Sequence, residues 1–306
     1  MKTRIATATV LAAFTVAVIL WLPSTVFIGF LVAVSALAAW EWCRLIPSGL
    51  SPLVRGGYSV GVAALLLGSA LYEPSWVPLT IGASMVWLVL GISVLFQIYR
   101  QSKVQIHSSL LLGLILLVPG PVALIAIQQS LDQGRFLVLM SCVVVWGTDT
   151  FAYAVGKRFG RRKLAPSISP GKTLEGTLGG IVGAIGTGII FFFILMENNK
   201  VGVIGFGLWC LIAVSVAVMA VIGDLVESAV KRSAHQKDSG TLVPGHGGVL
   251  ARIDSLLCAA PIFGSWVFLC EKGATAALER NDQKRRNSGS NRLYRYHRTR
   301  GYRKTS

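Results

Sequence analysis

Few charged residues accompany the apolar runs of this chain, and eight of them gather between Asp224 and Asp254. Continued as helix from the apolar run before it, this stretch places Asp224, Glu227, Ser228 and Lys231 at i, i+3, i+4 and i+7, on one face. That face carries two carboxylates and a cation. Arg232, Lys237 and Asp238 follow, and Gly240, Pro244, Gly245, Gly247 and Gly248 then break the helix. Such a loop lets backbone approach a ligand closely, with His246 held between glycines. Arg252 and Asp254 come directly after it. Carboxylates collected in an acid-poor chain point to Mg²⁺, a hard ion that takes oxygen ligands and bridges substrate phosphates. The cations would neutralise a polyphosphate. Together these residues are the equipment of phosphoryl or nucleotidyl transfer, in which positioning and charge neutralisation do most of the catalysis.

A second stretch, WGTDTFAYAVGKRFGRRKLAPSISPGKTLEGTLGG over 146–180, adds to the first. Asp149 lies inside an apolar helix, where an ionisable group is costly unless it meets a partner or a watery cavity. Tyr153 shares its face, four residues on. The bland reading of Asp149 is a structural hydrogen bond between helices. The basic run Lys157, Arg158, Arg161, Arg162 and Lys163 fixes topology or attracts anionic lipid. Ser169 to Thr173, SPGKT, goes further: a Gly–Lys–Thr turn opening a helix presents N–H groups, the Lys172 ammonium and a hydroxyl to phosphate. It is not a P-loop, since Pro166 stands where the first glycine is required.

The elements that must position these residues are membrane helices. Of the 306 residues, 53% are hydrophobic and 14% charged. About nine apolar runs approach or reach the ~20 residues that cross a bilayer as helix: 5–22, 25–40, 57–72, 76–98, 108–127, 136–155, 174–196, 201–222 and 255–270. The expected fold is therefore an all-α, polytopic membrane protein. The first run reads as a span and not a signal peptide, because no small-residue cleavage site follows it. Residues 1–135 form N-terminal helices with little chemistry, 136–270 a transmembrane catalytic region, and 271–306 a basic tail expected to be disordered. Within the first part, Glu41, Trp42 and Arg44 read as an anchor at headgroup level, and Pro119 and Pro121 as a kink in the fifth span. Gly179, Gly180, Gly183, Gly186 and Gly188 make a small-residue face for helix packing. Such spans permit a homodimer without requiring one.

Basic residues set the orientation. With the N-terminus inside, the inner segments hold Arg44, Arg55, Arg100, Lys103, the 157–163 run, Lys172, Lys231, Arg232, Lys237 and Arg252, while the outer loops hold only Arg135 and Lys200. The site then faces the cytoplasm across the cell's inner membrane. The same count leaves the tail outside, although that tail carries much of the chain's net charge of +16. Its interleaved Arg and Tyr residues are compatible with RNA, but no nucleic acid partner is expected. Cys43, Cys142, Cys210, Cys258 and Cys270 lack metal-binding spacing and read as small buried side chains.

The run SAVKRSAHQKDSGTLVPGHGGVLARIDS over 228–255 resembles the signature of the phosphatidate cytidylyltransferases, the CDP-diacylglycerol synthases, and 146–180 resembles their other long block. The resemblance implies CTP and phosphatidate as substrates, CDP-diacylglycerol and pyrophosphate as products, and a Mg²⁺ requirement. It implies Asp224 as a metal ligand supported by Glu227 and Asp254, with Asp149 lining the cavity. Lys172, Lys231, Arg232, Lys237 and Arg252 would meet phosphates, and Gly245 to Gly248 would close on the nucleotide, with Ser228 and Asp238 beside it.

The chain departs from that pattern at one place: where similar proteins have an acid directly before the arginine, it has Ala251. Alanine cannot ligate a metal, so an inactive variant is one alternative to the synthase reading. A CTP-dependent transferase for another lipid phosphate is a second. A transporter is a third, although no internal repeat of the kind transporters show is visible.

Overall fold

The computed structural model describes residues 2–47, 49–71, 76–100, 104–131, 133–197, 205–240, 242 and 247–300, with backbone alone for 2–8, 195–197, 274–275, 277–279 and 281–300. It is a helical bundle. The helices are α1 (Lys2–Leu20), α2 (Ser24–Arg44), α3 (Pro52–Leu71), α4 (Trp76–Tyr99), α5 (Leu110–Leu117), α6 (Pro119–Ser130), α7 (Gly134–Phe159), α8 (Leu174–Glu197), α9 (Phe206–Ser233) and α10 (Leu250–Arg300). Among the described residues, eight segments are long and apolar enough to cross a membrane, with α5 and α6 forming one of them as Leu110–Ser130. In α1 the apolar stretch is the shorter Thr9–Leu20. A multi-pass membrane protein is the result, as the hydrophobic runs require.

The fifth span is divided where the sequence places its prolines. Pro119 and Pro121 bring no N–H to the helix ladder, and α5 gives way to α6 at Val118, whose backbone stays in the right-handed helical region. Ser109 caps α5 by accepting a 3.1 Å hydrogen bond from the Leu112 N–H. Two features were not anticipated. One is a small antiparallel hairpin of β1 (Lys163–Ala165) and β2 (Ser169–Thr173) set into the all-α bundle. The SPGKT segment is therefore a strand, and α8 begins only at Leu174. The other is the tail: its backbone continues α10 as helix to Arg300, where disorder was expected. Apart from isolated glycines, Ala, Leu, Glu, Lys, Arg and Gln supply enough helix formers there to carry the last span onward.

Close packing depends on glycine at a few crossings. Along α8, Gly179, Gly180 and Gly183 lie against Val155, Thr148 and Phe151 of α7. Gly188 faces Ala213 of α9, and Gly186 meets nothing, so the five glycines do not make a single face. A Cβ at Gly223 of α9 would come 2.5 Å from the Asp254 carbonyl oxygen and 2.8 Å from the Cys258 Cβ of α10. That crossing sets the site, because the next residue of α9 is Asp224.

Polar ties gather at one end of the bundle. The Trp42 indole N–H donates to the Ser109 carbonyl at 3.0 Å, Gln236 Nε2 to the Arg44 carbonyl at 2.9 Å, and Arg232 Nε to the Ile168 carbonyl at 3.2 Å. These bonds join the end of α2 to the start of α5, and both α2 and the hairpin to the end of α9. All five cysteines are free thiols; Cys43, Cys142 and Cys258 are buried and Cys210 and Cys270 partly so.

Candidate functional site

Three helices and the hairpin deliver charged groups to this end. Asp224, Glu227, Ser228 and Lys231 occupy one face near the end of α9, as their spacing requires. Lys172 arrives from β2, and its Nζ lies 2.7 Å from Asp224 Oδ2. On the other carboxylate oxygen, Oδ1 accepts a 3.2 Å hydrogen bond from the Ser228 hydroxyl. Asp149, accessible on α7, interacts electrostatically with Asp224, Lys172 and Arg252, which answers its need for partners inside an apolar helix. Asp254 of α10 interacts in turn with Asp224, Glu227 and Asp149. Its Oδ1 accepts from the Ser255 N–H at 2.7 Å. Asp149, Lys172, Asp224, Glu227, Lys231, Arg252 and Asp254 thus form one cluster from chain positions far apart.

Within the cluster the roles differ from a uniform phosphate cradle. Lys231 forms an ion pair with Glu227 in the i, i+4 arrangement, and Glu227 is only 4% exposed. Such a pair neutralises itself and rigidifies the end of α9. Arg232 commits its Nε to the hairpin carbonyl, so it fastens β1–β2 to α9. Lys237 and Asp238 are exposed on the segment after α9. Tyr153 is 66% exposed and sits beneath the Lys157 ammonium, which is 5.8 Å from its ring centroid. It is not drawn into the carboxylate cluster.

The hairpin is built to hold Lys172 in place. Thr173 Oγ1 accepts from the Gly176 N–H at 3.1 Å, which caps α8. Glu175, in the first turn of α8, accepts from the Arg161 N–H at 3.0 Å and from the Arg162 N–H at 3.1 Å. The basic loop is thereby clamped to the helix that follows it. Glu175 was not singled out from the sequence, although an acid in a first helical turn is a recognised stabiliser.

The glycine loop departs from expectation. Gly245 and His246 lie outside the described residues. Gly247 has φ +81, a conformation that excludes ordinary side chains, and lies beside Asp238. Gly240 and Gly248 are close to a carboxylate of the protein itself, since a Cβ at either would strike the Glu41 carboxylate. Glu41 and Trp42 are 0% and 2% exposed, so they are no anchor at headgroup level. The starts of α5 and α10 cover them. The visible signal was a lone acid at the end of an apolar helix.

Next to the cluster, a cavity of about 360 Å³ opens between the hairpin turn and the end of α9, lined by Pro47, His107, Ser108, Ser167, Arg232 and His235 among others. His235 has φ 55, and the Gln236 and His235 N–H groups return to the carbonyls of Lys231 and Arg232. This is the Schellman termination with histidine where glycine is usual.

The donor chemistry suits a hard divalent cation. Among the described residues, no three His, Cys, Asp or Glu side chains converge closely enough to hold a metal ion unaided. Asp224 and Asp254 are carboxylates within electrostatic reach of each other.

Comparison with known proteins agrees with this architecture. The family model described as "Cytidylyltransferase family" matches residues 2–270. The chain is 38% identical over 280 residues to a protein of Pseudomonas aeruginosa named phosphatidate cytidylyltransferase, an alignment covering 90% of this chain and 99% of that protein. A Rickettsia bellii protein of the same name is 33% identical over 71% of this chain and 96% of its own length. A Bacillus subtilis protein of that name is 46% identical over a shorter stretch, 44% of this chain and 48% of its own. The chain belongs to the cytidylyltransferase family.

Proposed function

We propose that this protein transfers a cytidylyl group from CTP to phosphatidate, producing CDP-diacylglycerol and pyrophosphate. The observation that carries the reading is near full-length similarity to proteins of that name, in a chain whose scattered charged residues meet in one cluster. A phosphate oxygen of phosphatidate attacks the α-phosphorus of CTP. A new P–O bond forms, the bond to the bridging α,β-oxygen breaks, and pyrophosphate leaves with that oxygen. The attacking oxygen is already ionised at neutral pH, so no strong general base is needed; alignment and charge stabilisation remain to be supplied.

The residues divide that work. Lys172 and Arg252 meet the phosphates, with Lys237 at the exposed entrance. Ser228 orients Asp224, and Lys231 keeps Glu227 neutralised. Asp149 adds a carboxylate beside Asp224, Lys172 and Arg252. Mg²⁺, when bound, would neutralise the triphosphate, held by Asp224 and Asp254. The loop through Gly245, His246, Gly247 and Gly248 would lie over the nucleotide. The site faces the cytoplasm from the inner membrane, a placement supported by the basic residues gathered at this end.

The test is CTP-dependent formation of CDP-diacylglycerol from phosphatidate by the purified chain with Mg²⁺. Product with phosphatidate but not with other lipid phosphates supports the proposal. Absence of product from folded protein overturns it.

A further inference from the structure

Glu41 belongs to the N-terminal half, which the sequence marks as scaffold, yet its carboxylate lies at the base of the glycine loop. The side chain is wholly buried. Its Oε2 accepts a 2.8 Å hydrogen bond from the Leu250 N–H, one of the first-turn donors that α10 cannot satisfy internally. The negative charge therefore meets the positive end of that helix. Gly240 and Gly248 both close on this carboxylate without room for a Cβ, and Ser239, also fully buried, packs against Gly248. Three residues along α2, the Arg44 carbonyl accepts from Gln236. The end of α2 thus grips the segment before the loop, Gly240 and Gly248, and the first residue of α10.

Burying a carboxylate is costly, and scaffold packing alone would be served as well by an apolar side chain. What an acceptor adds is position: it fixes the start of α10, and with it Arg252 and Asp254, relative to Gly247 and the loop. We infer that Glu41 is a positioning residue for Gly240, Gly248 and the start of α10, which carries Arg252 toward the phosphates, so that the first third of the chain helps determine affinity for CTP and not for the lipid. This rests on the transferase reading above.

The experiment compares the wild-type chain with Glu41→Ala and Glu41→Gln in detergent. Glutamine keeps an oxygen for the Leu250 N–H; alanine does not. The expected result is a rise of about tenfold or more in KM for CTP in Glu41→Ala, with KM for phosphatidate within about twofold of wild type, since a charge-assisted hydrogen bond is at stake. Glu41→Gln recovers most of the loss. Amide exchange without substrate should quicken in 239–250 of Glu41→Ala and stay unchanged in α7 and α8. A fall in kcat with both KM values unchanged would signal only a smaller folded fraction and overturn the inference, as would unaltered exchange. Should the wild-type chain form no CDP-diacylglycerol, the proposed function fails, and the exchange data judge Glu41 separately: faster exchange confined to the loop sustains its positioning role, and unaltered exchange removes it.

Discussion

Lys172 Nζ and Asp224 Oδ2 stand 2.7 Å apart, joining a hairpin strand to a membrane helix some fifty positions later in the chain. Both side chains keep partial access to solvent, at 23% and 33% exposure, so each can turn to a ligand. Lys172→Ala is expected to lower kcat/KM for CTP by about ten- to a hundredfold, the value of one charge-assisted hydrogen bond. Lys172→Arg, bulkier and planar, should restore only part of it. Steady-state kinetics with varied CTP checks this.

Asp224→Asn should be the more damaging change. It keeps the shape and the Ser228 contact but removes the charge that Lys172, and Mg²⁺ in the proposed reaction, would meet. A loss of at least about a hundredfold in kcat is expected, in the range of removing one preorganised electrostatic group. The thermal midpoint should shift little, because the site is partly open.

Ala251 lies in the first turn of α10, beside the residue that Glu41 caps. An acid here faces the favourable end of the helix and adds an oxygen donor near Asp254. Ala251→Asp is expected to lower the Mg²⁺ concentration for half-maximal activity by about tenfold. Unchanged metal dependence would show that Asp224 and Asp254 suffice.

Gly223→Ala tests the crossing of α9 and α10. The added methyl would lie 2.5 Å from the Asp254 carbonyl oxygen, which backbone cannot yield cheaply. Overpacking of this kind costs about 1–3 kcal/mol, and it pushes Asp224 and Asp254 apart. Thermal unfolding in detergent and CTP turnover should both decline.

His235→Gly should act in the opposite direction on stability. Relief of the left-handed backbone at φ 55 is worth about 1 kcal/mol. A higher thermal midpoint without loss of activity would mean that the imidazole is dispensable in the adjoining cavity. A higher midpoint with weaker CTP binding would assign it to the ligand.

What could be read from the chain was whatever depends on local spacing. Helical periodicity placed Asp224, Glu227, Ser228 and Lys231 together, and hydrophobic runs gave the spans, because both follow from the pitch of a helix and the thickness of a bilayer. Partner choice was not readable in the same way. Lys231 taken by Glu227, Arg232 by Ile168, and Gly240 and Gly248 by Glu41 are all decided by which helices meet. The hairpin escaped notice since its strands are too short to show alternation, and Glu41 because an acid beside Trp and Arg has the composition of an interfacial anchor.

The contact between Glu41 and Leu250 also bears on biogenesis. α2 is made early and α10 some two hundred residues later, so a ribosome-bound chain carries an unsatisfied carboxylate until α10 arrives. A chain ending before Leu250 would keep that group uncapped, and Lys237, already exposed after α9, should be cut faster by trypsin because the segment that carries it is held less firmly. Synthesis of α10 would then mark the point at which cleavage at Lys237 slows, and pulse-labelled chains of graded length would show where that change falls.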